Sequence, residues 1–267
     1  MIHERIYLDS EERAYIETYV NTDAREEVRD AILVIPGGGY QTVCLDREGE
    51  CIAVAYAARG LNAFVLNYRV GKDEHYPNQL LDAAKAMAYI KENAEKYNIN
   101  PDRVFAVGFS AGGHLCGTLA TLHEEAEEIL GLPKGTARPT GVVLSYAVIT
   151  AHMPTNIVTY ENLLGKAFSD LTEEEKRHFS IEDNVTPDTP PAFIWHTAED
   201  TVVPPFGSLR LAEAYANLGI KVEMHLYPYG PHATATGTYI SSAANPVYVD
   251  TKIAEWIPDS VAFMKTV

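Results

Sequence analysis

The chain has 267 residues and a formal net charge of −16, with 46% hydrophobic and 22% charged residues. This length suits one large α/β domain, and the negative charge argues against nucleic acid or an anionic membrane as a partner. No apolar run approaches the roughly 18 residues that a membrane helix needs, and the first residues do not have the pattern of a secretory signal. The three cysteines have no paired spacing, so we expect a cytoplasmic protein without a disulfide framework.

The predicted elements begin with two short strands at residues 5–8 and 14–20, whose alternating side chains predict an antiparallel hairpin. The continuous apolar run 31–35 predicts a strand that is buried on both faces, and it ends in Pro36 and three glycines. Alternating helices and strands follow: a helix at 48–58, a strand at 62–68, a helix at 79–97, a strand from 104, strands at 141–146 and 192–196, a helix at 206–218, a strand at 222–227, and a terminal helix over much of 249–264 with a kink at Pro258.

Strands that are separated by helices pair in parallel, which predicts an α/β fold with a mostly parallel, doubly wound sheet. We expect about eight strands, an N-terminal antiparallel hairpin, and a single domain over residues 1–267. Residues 151–190 interrupt the alternation. They are expected to form a small cap insertion over the C-terminal edge of the sheet, where open α/β sheets bind ligands.

The most informative motif is GFSAG at 108–112, which follows a run of strand-forming residues and precedes a helical segment. A strand, a sharp turn and a helix around G-x-S-x-G form the nucleophile elbow, in which the glycines let strand and helix pass without a side-chain clash. Ser110 is therefore the candidate nucleophile. The alternative is a glycine-rich connection between a strand and a helix.

A serine nucleophile needs a base and a group that orients the base, and elbow enzymes supply them in the order Ser, Asp or Glu, His. Asp200 follows the predicted strand 192–196 and is the candidate acid. Glu199 is its competitor, and an ordinary turn aspartate is the non-catalytic alternative. His232 alone among the histidines follows Asp200 on a loop after the next strand, so it is the candidate base.

An oxyanion hole requires backbone N–H groups that point at the developing negative charge. The residue after the nucleophile, Ala111, and the glycine loop after the early strand are the expected donors, with Gly38 and Gly39 favoured. A plain glycine turn is the alternative. A phosphate-binding loop fits less well, because neither the G-K-[ST] ending nor the G-x-G-x-x-G spacing is present.

Four further residues are candidates for lining the substrate pocket. Tyr40, Tyr146 and Tyr229 could present faces on which sugars stack, although each could equally be a core aromatic residue. His152 lies just past a strand end and is the fourth candidate. The length of the acyl chain and the alcohol part of the substrate are expected to depend on residues 151–190 and the loop 233–246.

Together these features resemble the α/β-hydrolase fold and, more narrowly, esterases with an HGGG-type oxyanion loop, including acetyl-xylan-esterase-like and feruloyl-esterase-like carbohydrate esterases. The segments that carry the resemblance are IPGGGY at 35–40, NYR at 67–69, YP at 76–77, DA at 82–83, GFSAGGH at 108–114, HTAED at 196–200 and GPH at 230–232. The resemblance implies hydrolysis of small esters, often acetyl groups on sugars, by Ser110, Asp200 and His232 without a metal or cofactor. One departure is Pro36, which stands where many of these enzymes have His.

The expected partner is therefore a small-molecule ester or an acetylated sugar, and the sequence does not indicate an oligomeric state. Two other classes of function remain open. A serine peptidase of the same fold would use the same three residues, but neither a large accessory domain nor an anchor for a peptide N-terminus is visible. A catalytically silent binding protein would normally lack one of the three, and none is missing here.

Overall fold

Eight strands form one sheet in the computed structural model, which describes residues 1–22 and 27–267. The strands are β1 (Arg5–Tyr7), β2 (Tyr15–Tyr19), β3 (Arg29–Ile35), β4 (Asn62–Asn67), β5 (Ile99–Phe109), β6 (Val142–Ser145), β7 (Ala192–Thr197) and β8 (Val222–Tyr227). Their order across the sheet is β1-β2-β4-β3-β5-β6-β7-β8. β2 is antiparallel to both β1 and β4, and the other pairs are parallel. The predicted mostly parallel sheet with an antiparallel hairpin is confirmed.

The central strand β3 shows why these residues form the middle of the sheet. From Ala31 to Ile35 every side chain is fully buried, and successive residues enter two different core clusters on the two faces. Leu33 packs in one cluster while Ile32 and Val34 pack in the other. A parallel strand that is covered by helices on both faces has this continuous apolar pattern, so the predicted doubly buried strand is confirmed.

The described helices are α1 (Leu45–Glu48), α2 (Glu50–Ala57), α3 (Asn78–Glu92), α4 (Ala94–Tyr97), α5 (Ser110–Leu130), α6 (Ile157–Leu164), α7 (Glu173–His178), α8 (Phe206–Asn217) and α9 (Trp256–Met264). The predicted helix at 48–58 is divided at Gly49, and the one at 79–97 is divided at Asn93. Gly49 has φ −104° and ψ −96°, and a Cβ there would lie 2.4 Å from the carbonyl oxygen of Leu45. None of the described helices is long and apolar enough to cross a membrane.

The terminal helix is shorter than predicted, because α9 begins only at Trp256. The preceding residues form short 3₁₀ turns at Pro246–Tyr248 and Ile253–Glu255. The Asp250 side chain accepts hydrogen bonds from the N–H groups of Lys252 and Ile253 at 2.7 and 3.0 Å, which competes locally with a continuous helix. Pro258 lies in the first turn of α9, where its missing N–H costs no helical hydrogen bond, so the predicted kink is not needed.

Residues 151–190 lie between β6 and β7 and contain α6, α7 and two 3₁₀ turns, Phe168–Asp170 and Ile181–Asn184. The side chain of Asn156 caps α6, and Thr172 and Glu175 form a capping box on α7. The segment packs closely on α5, because a Cβ added at Gly117 would lie 2.4 Å from Ile181. This packing carries α6 to the C-terminal edge of the sheet, where Asn162 contacts the glycine loop after β3.

Candidate active site

Ser110 occupies a strained turn between β5 and α5. Its φ is +53°, a left-handed conformation that is unfavourable for a residue with a side chain. The flanking glycines are required by close approach: a Cβ at Gly108 would lie 2.3 Å from the carbonyl oxygen of Gly112, and a Cβ at Gly112 would lie 2.2 Å from that of Pro36. The turn therefore has the geometry of the predicted elbow, with Ser110 at the C-terminal end of β5.

The structure brings the three predicted side chains into one chain of hydrogen bonds. His232, on the loop after β8, has Nε2 at 2.9 Å from the Ser110 hydroxyl and Nδ1 at 2.6 Å from Oδ2 of Asp200. A carboxylate only accepts, so Nδ1 carries the proton and Nε2 is free to accept from the serine. This is the arrangement in which a histidine can act as a general base.

Asp200, on the loop after β7, is buried and held in place from several directions. Its Oδ1 accepts the N–H groups of Val202 and Val203 at 2.9 and 2.8 Å, and His196 Nε2 lies 3.2 Å from Oδ2. Burial alone would raise the pKa of Asp200, but the hydrogen bonds from His196, His232 and the Val203 N–H hold that pKa well below its usual value. Glu199, the competing acid, is instead directed to the N–H of Gly230 at 3.3 Å.

Backbone hydrogen bonds hold successive peptide groups of the glycine loop after β3. The carbonyl of Gly37 accepts the N–H of Cys44 at 2.9 Å, and the carbonyl of Gly38 accepts those of Gln41 and Thr42, both at 3.1 Å. In a trans peptide the next N–H points the opposite way, so the N–H groups of Gly38 and Gly39 are directed away from this turn. Both glycines line the cavity that contains Ser110.

Two other contacts hold the glycine loop. The side chain of Asn162 donates to the carbonyl of Gly39 at 2.8 Å, and the hydroxyl of Tyr68 donates to the carbonyl of Pro36 at 2.8 Å. Ala111 is the second residue of α5, where an N–H has no helical carbonyl to bond. The three predicted donors are thus on backbone whose orientation is set by neighbouring hydrogen bonds, although Pro36 replaces the usual histidine.

Glu48 is a buried acid at this site that the sequence interpretation did not single out. Only 2% of it is exposed, and its Oε2 accepts the N–H of Gly37 at 2.8 Å while its Oε1 accepts the hydroxyl of Tyr146 at 2.7 Å. Burial raises the pKa of the Glu48 carboxyl. The sequence signal that could have found it is an acidic residue directly before Gly49, a glycine that interrupts an otherwise helical segment.

The cavity around Ser110 and His232 has a volume of about 420 Å³. Part of its lining comes from the glycine loop and α1, and another part comes from α6 of the inserted segment and the residue that caps it. The inserted segment contributes Asn156, Val158, Thr159 and Asn162, so this part of the lining combines amide and hydroxyl groups with one apolar side chain. Within residues 1–22 and 27–267, no group of three His, Cys, Asp or Glu side chains is arranged to hold a metal ion.

The four residues expected to line the pocket lie elsewhere. Tyr40 and Tyr146 are buried core aromatics whose hydroxyls bond to His114 and Glu48, and burial leaves them no face toward a substrate. Tyr229 is 68% exposed on a separate cavity with Tyr227, and His152 pairs with Asp183 at 2.8 Å beside a third cavity. These placements correct the expectation. Tyr146 still touches the site, because its ring lies edge-on to that of His232 with centroids 5.0 Å apart.

The sheet order and the serine elbow define an α/β hydrolase, the class to which the sequence was expected to belong. A family model described as BD-FAE matches residues 16–215, which is most of the chain. The chain therefore belongs to the BD-FAE family. The predicted resemblance to carbohydrate esterases of the α/β-hydrolase fold is confirmed.

Two curated relatives are much longer than the matched region. Endo-1,4-beta-xylanase B of Butyrivibrio fibrisolvens is 40% identical over 210 residues, which is 76% of this chain and 32% of that protein. An acetylxylan esterase of Xylanibacter ruminicola is 29% identical over 215 residues, covering 78% of this chain and 42% of that protein. The chain thus spans less than half the length of either relative.

Solved structures match over nearly the full chain. An acetyl ester-xyloside bifunctional hydrolase from Caldicellulosiruptor lactoaceticus superposes with a TM-score of 0.83 at 27% identity, covering 98% of this chain and 96% of that one. The carboxylesterase Cest-2923 from Lactobacillus plantarum gives a TM-score of 0.85 at 25% identity and covers 100% and 98% of the two chains. The similarity to esterases therefore extends through the insertion and the C-terminal segment.

Proposed function

We propose that this protein is a serine esterase that removes small acyl groups, with acetyl as the preferred group, from carbohydrate esters. The observation that carries the proposal is the chain of hydrogen bonds from Ser110 through His232 to Asp200, at 2.9 and 2.6 Å. The substrate class is supported by a relative named acetylxylan esterase and by a structural neighbour named for acetyl ester hydrolysis.

In the first half of the reaction, the Ser110 hydroxyl attacks the carbonyl carbon of the ester while its proton passes to Nε2 of His232. The N–H groups of Gly38, Gly39 and Ala111 stabilise the negative charge that develops on the carbonyl oxygen. Charged His232 then gives the proton to the leaving alcohol oxygen. The alcohol departs and the acyl group remains on Ser110 as an ester.

In the second half, a water molecule attacks the acyl carbon and passes a proton to Nε2 of His232, and the same donors stabilise the second oxyanion. His232 returns the proton to the Ser110 oxygen as the carboxylic acid leaves. Asp200 keeps the Nδ1 proton of His232 in place and stabilises the imidazolium in both halves. Because its pKa is held low, Asp200 stays ionised throughout.

The cavity supports a small acyl group and a polar alcohol. Its volume of about 420 Å³ is enough for a small acyl group together with part of the alcohol. Side-chain amides of Gln41, Asn156 and Asn162 on its walls can hydrogen-bond to sugar hydroxyls, while Val158 and Val202 can contact a methyl group.

The decisive test compares ester and amide substrates with the wild-type protein and the Ser110→Ala variant. We expect turnover of p-nitrophenyl acetate and of acetylated xylo-oligosaccharides, weaker turnover of the octanoate ester, and no cleavage of dipeptide amides. Ser110→Ala should lower kcat on the order of 10⁴-fold or more. Peptide cleavage in place of ester cleavage would favour the peptidase, and wild-type protein that binds acetylated sugars without turnover would favour the silent binding protein.

A further inference from the structure

Glu48 is a costly residue for the fold to bury. Its carboxylate is almost completely shielded from water, and in the described part of the chain no Lys, Arg or His nitrogen lies within ion-pair distance of it. Burying a carboxyl group without a cationic partner is unfavourable unless hydrogen bonds compensate for lost hydration. The two hydrogen bonds that compensate for this burial therefore indicate the role of Glu48.

The first hydrogen bond fixes the start of the oxyanion loop. Glu48 accepts the N–H of Gly37, the residue directly before the two proposed loop donors. Gly37 is tightly enclosed, because a Cβ there would lie 2.6 Å from the carbonyl oxygen of Phe109, 2.9 Å from Oε2 of Glu48 and 3.0 Å from Cβ of Ser110. A single glycine thus separates the Glu48 carboxylate from the nucleophile, so a shift of this carboxylate would move the loop relative to Ser110.

The second hydrogen bond reaches the other half of the site. Burial raises the pKa of Tyr146 well above its usual value, so its hydroxyl stays protonated and donates a hydrogen bond to Glu48. The same tyrosine ring lies edge-on against the imidazole of His232, with an interplanar angle of 72°. The position of the Tyr146 ring therefore limits how far the His232 ring can turn away from Ser110.

The backbone around Glu48 is shaped to present its side chain inward. Glu48 is the last residue of α1, and α2 begins directly after Gly49. Only glycine fits that bend, because a Cβ would lie 2.4 Å from the carbonyl oxygen of Leu45. The bend, the buried carboxylate and its two donors form one unit.

We propose that Glu48 is a positioning residue that holds the oxyanion loop through Gly37 and the base His232 through Tyr146. The proposal rests on the proposed esterase function and adds a fourth side chain to it, one that acts through Gly37 and Tyr146 and takes no part in proton transfer. Removing one oxyanion donor costs an enzyme roughly 10²–10³ in kcat. A loosened loop should approach that loss, so we expect Glu48→Ala to lower kcat about 10²-fold with little change in KM.

The conservative variant should recover much of the loss. In Glu48→Gln the amide oxygen can still accept the N–H of Gly37, and the amide NH₂ can donate to the Tyr146 hydroxyl, which then acts as the acceptor. We expect kcat of Glu48→Gln within about 10-fold of wild type. Tyr146→Phe removes only one hydroxyl and should cost several-fold, and adding it to Glu48→Ala should cause no further loss, because the shared contact is already gone.

Glu127 provides a matched control. It is also a buried glutamate, 3% exposed, and it accepts two backbone N–H groups, from Gly135 and Ala137 at 2.9 and 2.7 Å. It lies near the end of α5 that is opposite Ser110. Glu127→Ala should lower thermal stability as Glu48→Ala does but leave kcat at the wild-type value.

The experiment measures kcat and KM on p-nitrophenyl acetate, the inactivation rate with a p-nitrophenyl phosphonate ester, and Tm for each variant. The phosphonate forms a tetrahedral adduct with the serine, so its rate should fall with kcat in Glu48→Ala. A folded Glu48→Ala protein that keeps kcat, or loses no more kcat than Glu127→Ala, refutes the positioning role. Should Glu48→Ala not fold, unchanged kcat in Tyr146→Phe refutes it. Ser110→Ala in the same series separates the proposals, because activity retained by that variant refutes the esterase mechanism itself.

Discussion

Replacing Asp200 by asparagine tests the proton arrangement of the site with almost no change in shape. The structure dictates how the new amide would sit. The N–H groups of Val202 and Val203 both face Oδ1, so the amide oxygen must occupy that position. The amide NH₂ then takes the place of Oδ2 and faces Nδ1 of His232, while His196 Nε2 keeps the carbonyl of Val203, 2.9 Å away, as its acceptor.

This orientation forces the wrong tautomer on the histidine. Facing an N–H donor, Nδ1 of His232 must become an acceptor, so the remaining proton moves to Nε2. Nε2 lies 2.9 Å from the Ser110 hydroxyl and would then donate to it instead of accepting its proton. The serine loses its base, and in serine proteases the equivalent change lowers kcat about 10⁴-fold. We expect Asp200→Asn to lower kcat on p-nitrophenyl acetate by about 10³- to 10⁴-fold, with KM changed far less.

The control is Glu199→Gln, which changes the neighbouring acid. Among the hydrogen bonds of the described residues, the Glu199 carboxylate makes one, with the exposed N–H of Gly230 at 3.3 Å. Its kcat should equal that of the wild-type protein. Steady-state kinetics at pH 7 to 8, with circular dichroism to show that both variants fold, decides the matter. A folded Asp200→Asn protein within 10-fold of wild-type kcat, or an equal loss in Glu199→Gln, would show that the acid is assigned wrongly.

Three further outcomes are expected. Gly38→Ala should abolish most esterase activity, because residue 38 has φ +130° and its new Cβ would lie 2.1 Å from the Thr42 carbonyl oxygen. Gly39→Ala is the matched change: residue 39 has φ +65° and its Cβ would have no atom within 4 Å. This variant should lose about 1 kcal/mol of stability and keep kcat within about 10-fold of wild type. Burial lowers the pKa of His114 from 6.5 to about 4, so between pH 4 and 6.5 the unfolded chain binds a proton that the folded protein does not. The free energy of unfolding should therefore fall by about 1.4 kcal/mol per pH unit as the pH drops from 6.5 toward 4. Urea unfolding at several pH values should show that His114→Gln removes this slope, and a slope that persists would assign it to another group. His152→Ala should leave KM for acetylated xylo-oligosaccharides unchanged, since that residue pairs with Asp183 beside another cavity, and a raised KM would return it to the substrate site.

The sheet and the alignment of Ser110, Asp200 and His232 could be predicted because their signals are local. Ser110 directly follows β5, while Asp200 and His232 lie on the loops after β7 and β8, and in a parallel sheet the C-terminal ends of the strands meet at one edge. The order of these residues along the chain then identifies Asp200 as the candidate acid and His232 as the candidate base. The relevant information is a strand pattern and the short loop after it, and both can be read within a short window of sequence.

The pocket-lining residues could not be predicted in this way, because whether a loop residue turns inward depends on distant partners. Tyr40 and Tyr146 have φ of +57° and +37°, and their hydroxyls bond to His114 and Glu48, which lie 74 and 98 positions away in the sequence. A short window contains neither partner. The predicted start of the terminal helix was wrong for a local reason. Hydrogen bonds from nearby N–H groups to the Asp250 side chain outweighed the helical pattern there.

The strained backbone of the site is located where the fold can best hold it. Tyr40, Ser110 and Tyr146 follow β3, β5 and β6, and each has a left-handed φ that costs a residue with a side chain on the order of 1–2 kcal/mol. Each is also held by a specific bond: the two tyrosines by their hydroxyls, and Ser110 by its carbonyl, which accepts the N–H of Val148 at 3.1 Å. These strands lie side by side in the buried middle of the sheet, so the conformations are imposed by the packed core and not by a substrate. Loss of one of these bonds should therefore lower kcat before it disturbs the sheet, because the freed loop can relax its strain while the strands beneath it remain packed.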